Sequence, residues 1–181
     1  MKMVEKGLLD LDKPMYTYLP HPGIAENSQE WYRLVTPRMI LSHSSGFPNW
    51  SNNQKIEIAF EPGTDFSYSG EAYQYLAAVI GQLNGVGWED DLNQVFLDEV
   101  AKPLGMQHTS FTWTDYIEAH KATGHQDGKV TDKLEHGKSF GAGYSLHSEA
   151  GDYARFLVAM LQQKGLQKEL FELNELDPDS K

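Results

Sequence analysis

The stretch that most restricts this chain's fold runs from Ser69 to Gly85, SGEAYQYLAAVIGQLNG. Ala72, Tyr73, Leu76, Ala77, Ile80 and Leu83 recur at three- and four-residue intervals, which places them along one stripe of an α-helix. Ser69 is a natural N-cap, because its hydroxyl can accept one of the backbone N–H groups that a first turn leaves unpaired. Asn84-Gly85 supplies the stop, since glycine takes the left-handed conformation that ends a helix at little cost. The spacing predicts a helix over about 70–83, packed on one side. Its stripe has to be buried on other elements of the chain.

Those elements also read as mostly helical. Met3, Val4 and Leu8 share a stripe that Gly7 is placed to close, as in a helix entered partway. A proline-rich connection without period follows. Thr36 and Pro37 then form an N-cap and first-turn pair for a short helix, RMILSHSS, ended by Gly46 and Pro48. Leu92, Val95, Phe96 and Val100 point inward from a helix over about 89–101, ended by Pro103 and Gly105. Asp127-Gly128 in HQDGK predicts the turn of a small hairpin. Ser148 is read as the cap of a helix over about 149–163 that turns Tyr153, Ala154, Leu157, Met160 and Leu161 inward. The expected organisation is one mainly α domain over residues 1–165, its first helix truncated, and an acidic tail over 166–181 with a short, fraying helix.

Composition removes several function classes. The 181 residues carry 26 acidic side chains against 15 basic ones, a formal net charge of -11, and no basic run suited to a phosphate backbone. No nucleic-acid partner is expected. With no cysteine there is neither a disulfide nor a thiolate ligand or nucleophile. The seven histidines form neither His-x-x-x-His nor HExxH, so no metal site and no cofactor is expected. The apolar run YLAAVIG is too short for a membrane span. The first residues contain no apolar signal core, and the compartment stays open.

Hydroxyl nucleophiles need an adjacent base to react at neutral pH. None of the serines here has a lysine three residues on. GYSLH, residues 143–147, has the outline of a nucleophile elbow, but His147 replaces the glycine that lets the strand turn sharply, so Ser145 reads as a loop serine. His120 and His125 fall across a loop. His43, flanked by Ser42, Ser44 and Ser45, reads first as a satisfied interior histidine. Tyr68 is the candidate with chemistry to offer, because the start of a helix favours a developing phenolate. A phenol with a pKa near 10 is only about 0.1% ionised at pH 7, and half-ionising it requires about 4 kcal/mol. A helix end supplies about 1 kcal/mol of that. A nearby cation has to supply the rest, and the adjacent sequence has no lysine.

Taken together, five segments in order resemble the serine β-lactamase-like and penicillin-binding-like hydrolases, in particular the class C β-lactamase and esterase branch. GLLDLDKPMYTYLP (7–20) is similar to the segment after the nucleophile helix. TPRMILSHSSGFP (36–48) resembles the family's Leu-Leu-Thr-His-Thr-Ser-Gly-Leu-Pro, matching His43, Ser45 and Gly46 to structural motif positions. FEPGTDFSYSGEAYQYLAAVIG (60–81) resembles Pro-Gly-Thr-x-Phe-x-Tyr-Ser-Asn, with Pro62 and Gly63 in the turn. VAKPLGMQHTSF (100–111) and GAGYSLHSEAGDYARFL (141–157) resemble two later signatures.

The resemblance implies that Tyr68 is the catalytic base or proton relay and that Ser69 and Gly70 lie at the substrate. It implies the helical domain of a two-domain α/β fold, without its sheet domain. The family's Ser-x-x-Lys would precede Met1 and its Lys-Thr-Gly or His-x-Gly strand would follow Lys181. The tripeptide HGK (136–138) lies before the GAGYSL signature and is no substitute. The family's substrate-binding asparagine is replaced by Gly70, which shifts the expectation from β-lactams toward esters, amides or peptides. The expected partner of the intact parent is such a small molecule, with self-association of this chain through a face left uncovered. The chain alone is expected to be inactive. A non-catalytic binding module derived from the same family is the alternative.

Overall fold

The protein, described as a computed structural model over residues 1–87, 90–131 and 139–162, is organised around one central helix. That helix, α4 (Gly70–Asn84), begins where Ser69 accepts from the Ala72 N–H and ends where Gly85 takes φ 67°. The expectation of a one-sided helix is corrected. Tyr75 and Val79, off the anticipated stripe, are as buried as Ala72 and Leu76, and among the residues of α4 only Gln82 is exposed. The reason is that the helix serves two clusters. Ala72, Tyr75, Leu76 and Val79 pack with Met3, Leu9, Met15, Val35, Ile40, Phe47, Ile56 and Ile58. Ala77 packs with Leu92 and Phe140 on another side.

Around α4 the chain is short-stepped. Helix α1 (Lys2–Glu5) closes at Gly7, φ 68°, and it is Leu9, not Leu8, that is buried with Met3. After α2 (Gln29–Tyr32), helix α3 (Pro37–Leu41) starts as expected, with the Thr36 hydroxyl accepting from the Met39 N–H at 3.3 Å. It stops sooner than expected because His43 takes φ 57°. Helix α5 (Asp90–Phe96) widens into a π turn, Leu97–Ala101, and continues as α6 (Lys102–Leu104) to Gly105. A helix unanticipated from the sequence, α7 (Asp115–His120), is capped by Thr114, which accepts from the Ile117 N–H.

The hairpin is present. Strands β1 (Gly124–Gln126) and β2 (Lys129–Thr131) pair antiparallel, and Asp127 (φ 53°) and Gly128 (φ 72°) make the two-residue turn in which both central residues have positive φ. It is the only paired sheet among the described residues. The fold is thus mainly helical with a small hairpin.

Helix α8 (Ala150–Leu161) departs most from expectation. Its cap is Glu149, whose carboxylate accepts from the Gly151 and Asp152 N–H groups, while the Ser148 hydroxyl bonds that of Thr109. The stripe expected to face inward is largely outward, with Tyr153 46%, Leu157 46% and Leu161 75% exposed; Ala154 is exposed too, and only Met160 of the set is partly covered. What α8 buries fully is Asp152. Its carboxylate accepts from the His108 N–H (2.6 Å) and the Thr109 hydroxyl (2.9 Å), and pairs with Arg155 (2.8 Å). The 166–181 tail, the domain boundary at 165 and the HGK tripeptide lie outside the described residues.

Candidate active site

The segment that carries Tyr68 is fixed at both ends before it enters α4. Upstream, the turn at 61–64 is closed by the Thr64 N–H and hydroxyl, which both donate to the Glu61 carbonyl (3.1 and 2.7 Å). Pro62 is buried there, and Gly63, at φ 92°, donates its N–H to the Ser44 carbonyl (2.8 Å). This ties the turn to the loop after α3. In that loop Ser45 is fully buried, and its hydroxyl accepts from the Phe47 N–H. Gly46, at φ 74°, lies so close to Ile58 and the Phe60 carbonyl that no Cβ would fit. The expected motif positions Ser45, Gly46, Pro62 and Gly63 thus meet in one joint beneath the Tyr68 segment.

Downstream, Ser69 is buried and its hydroxyl is committed twice, donating to the Pro48 carbonyl (2.7 Å) and accepting from the Ala72 N–H (3.0 Å). Its side chain works as a cap. Between these anchors Tyr68 is 56% exposed, its ring 4.6 Å from that of His43. His43 is only partly buried. Its ring also meets Tyr73 (5.0 Å) and the edge of Phe66 (5.8 Å), and its Nδ1 accepts from the Ser69 N–H (3.1 Å). Burial pushes the His43 imidazole below its ordinary value and the Tyr73 phenol above its own.

Gly70 has a different neighbour. Its N–H donates to the Asn49 carboxamide (3.0 Å), and a Cβ on it would fall 2.6 Å from the Trp50 ring. Trp50 occupies the space that a side chain at 70 would need. The Tyr144 ring packs against Trp50 at 5.9 Å, and the next residue in the helix, Glu71, holds the Ser51 N–H with its carboxylate (2.9 Å). A cavity of ≈ 610 Å³ runs along this side of α4, bordered by Trp50, Glu71, Gln74, Tyr75 and His21.

Sequence reasoning missed Asn49 and Trp50, because nothing in FPNWSNN marks a residue that packs on a glycine some twenty positions later. It also missed the two-sided role of His43. Ser145 behaves as a loop serine, accepting from the Gly141 N–H and donating to the Phe111 carbonyl. His120 ends α7 and His125 lies in the hairpin. Among the described residues no three His, Cys, Asp or Glu side chains converge, and no helix is long and apolar enough to cross a membrane.

The chain is similar to several known proteins. The chain is 28% identical over 181 residues to the putative penicillin-binding protein PbpX of Bacillus subtilis, covering 91% of the chain and 43% of that protein. It is 26% identical over 144 residues to protein flp of Staphylococcus aureus, covering 70% of the chain and 28% of that protein. It therefore spans less than half the length of these curated relatives.

Among solved structures, the D-alanine carboxypeptidase AmpC of Burkholderia cenocepacia superimposes with a TM-score of 0.71 at 22% identity, covering 92% of this chain and 47% of that one. EstCE1, a hydrolase with promiscuous acyltransferase activity, gives 0.70 at 21% identity, with 91% and 55% covered. These likenesses establish a common fold. The sequence profile of the Beta-lactamase family matches residues 1–176, and this chain belongs to that family.

Proposed function

We propose that this chain is the helical part of a serine acyl hydrolase in which Tyr68 relays the proton. The observation that supports it best is the exposed phenol of Tyr68, presented at the entrance of α4 on a segment fixed at both ends. In the reaction a serine hydroxyl attacks an ester, amide or β-lactam carbonyl, and its proton passes through the Tyr68 phenol to the leaving group. Water then attacks the acyl-serine, its proton passes through the same phenol to the departing serine oxygen, and the acid is released. Backbone N–H groups would steady the oxyanion. The serine and its lysine partner belong to a Ser-x-x-Lys motif that none of the serines in these 181 residues provides.

The exchange of the family's asparagine for Gly70, with Trp50 filling the space, supports a substrate other than an acylamino β-lactam. A carboxamide would offer a donor and an acceptor to the substrate amide, and the indole offers a single N–H and an apolar face. Esters, amides and D-peptides fit this wall at least as well.

The purified 181-residue chain is expected to turn over neither a chromogenic β-lactam nor a short-chain p-nitrophenyl ester. Reading the gene outward is expected to show Ser-x-x-Lys before the Met1 codon and a Lys-Thr-Gly or His-x-Gly strand after the Lys181 codon. In that longer product Tyr68→Phe should lower kcat by about 10²- to 10⁴-fold. A burst of product from the short chain, or stop codons bracketing it, would overturn the reading.

The outward stripe of α8 carries a second expectation. Tyr153, Leu157, Val158 and Leu161 form an apolar surface with no cover among the described residues, and such surfaces find partners. In the 181-residue chain that partner is a second copy. Light scattering should show a concentration-dependent dimer or larger species that Leu157→Asp returns to monomer. A wild-type chain that stays monomeric at all concentrations would exclude it.

A further inference from the structure

A group that relays protons has to be held in one orientation, yet Tyr68 is more than half exposed. His43 packs on its ring and also bonds the residues on either side of it. The His43 carbonyl accepts from the Ser67 N–H (2.8 Å), on one side of Tyr68. Its ring Nδ1 accepts from the Ser69 N–H (3.1 Å), on the other. The imidazole itself lies against the Tyr68 ring, 4.6 Å between centroids at 33°.

The backbone of His43 adds a separate observation. It has φ 57°, a conformation that costs a residue other than glycine about 1–2 kcal/mol. Glycine or asparagine would suit the backbone better.

We propose that His43 is the positioning residue of Tyr68, acting in its neutral form by tying the peptide groups on both sides of the tyrosine and packing its ring against the phenol. This rests on the reading of Tyr68 as the proton relay. Nδ1 is the acceptor in that bond, so the neutral ring carries its proton on Nε2. A protonated imidazole has no acceptor nitrogen. Protonation therefore turns an N–H toward the Ser69 N–H and breaks that tie, while the bond from the Ser67 N–H to the His43 carbonyl stays.

The titratable groups that face the imidazole are the phenols of Tyr68, from its own segment, and Tyr73, from α4. Burial raises the Tyr73 phenol above its ordinary value, so it stays protonated across this range. The carboxylate of Asp65 is turned onto the Phe66 N–H (2.7 Å). Burial is the cause of the lowered His43 pKa, with no charged neighbour offsetting it. The tie is intact at neutral pH and is lost as pH falls through a value below the ordinary one for histidine, near 6.5.

The 181-residue chain suffices for the test. With ¹³C-labelled tyrosine, the Tyr68 ring resonance is identified by its loss in Tyr68→Phe and followed from about pH 8 to about pH 4.5. In the wild type it is expected to move in one step centred below pH 6.5, and the Ser69 amide to exchange about two- to tenfold faster below that step, after correction for intrinsic pH dependence. His43→Asn places a carboxamide oxygen where Nδ1 was, tolerates the left-handed backbone and does not titrate. It is expected to keep Tyr68 ordered with no step. His43→Gly suits the backbone but has no acceptor, and should leave the Tyr68 resonance at its low-pH position throughout.

A flat wild-type titration, or the same step in His43→Asn, overturns the proposal. Its failure is separable from that of the relay. If Tyr68→Phe leaves hydrolysis by the longer product unchanged, the relay reading falls while the tie between His43 and Tyr68 stands.

Discussion

Asp152→Ala is expected to lower the stability of this chain by about 2–4 kcal/mol, read as a shift in the urea midpoint with an unchanged slope. The carboxylate is buried at the start of α8 and accepts from the His108 N–H and the Thr109 hydroxyl while pairing with Arg155. Alanine leaves the His108 N–H without this acceptor, removes one of the two bonds of the Thr109 hydroxyl and ends the pairing with a half-exposed Arg155. Asp152→Asn keeps one oxygen as acceptor and should lose less, about 1–3 kcal/mol.

The pH dependence has a definite sign. Burial pushes the Asp152 carboxyl up, but the bonds from the His108 and Gln107 backbone and the Thr109 hydroxyl, with the charge of Arg155, outweigh it and hold the pKa below the ordinary value near 3.8. A carboxyl with a depressed folded pKa contributes stability that is present above its unfolded value and lost as pH falls through the folded one. The gap between wild type and Asp152→Asn should therefore be constant at neutral pH and narrow below about pH 4. A gap that persists unchanged to lower pH would show that the carboxylate charge is not what α8 depends on.

Gly46→Ala is the second large effect, about 2–4 kcal/mol. Two costs combine. Gly46 has φ 74°, and a Cβ there would fall 2.6 Å from Ile58 Cγ2 and 2.8 Å from the Phe60 carbonyl oxygen. The second contact is with backbone, which cannot swing aside as a long side chain can. Gly7→Ala separates the two costs, because Gly7 has φ 68° and nothing within 4 Å of its added Cβ. It should lose about 1 kcal/mol, the backbone cost alone. Equal losses in the two variants would mean that the joint between the 44–47 loop and residues 58–63 has room to relax.

What could be read from the sequence was local chemistry. Thr36 and Ser69 cap their helices as their hydroxyls allow, Gly7, Gly85 and Gly105 take the left-handed stops, and Asp127-Gly128 makes the hairpin turn. Each depends on backbone groups within a few residues, so neighbouring identities suffice to fix it. Thr114, the cap of α7, is equally local. Tyr68 stood out by its place before a helix and by the motif around it.

The direction of each surface was another matter. An apolar stripe says that a helix can bury one face, and not whether a partner is there to cover it. Helix α4 found partners nearly all round, whereas α8 carries a good stripe that the described residues leave bare and sinks an aspartate instead. Glu149 rather than Ser148 caps α8 because the Ser148 hydroxyl is drawn to Thr109, a partner 39 positions away.

The candidate site divides along the same line. The sequence by itself singled out Tyr68 as the candidate, set it at the entrance of a helix and placed a glycine at position 70. Only the tertiary structure decided that His43 grips both sides of Tyr68 from more than twenty residues away and that Trp50 fills the space above Gly70. Caps and turns are settled by groups a residue can reach along its own chain. A ring packed on a ring, or on a bare Cα, exists only after the loops that carry them have been brought together.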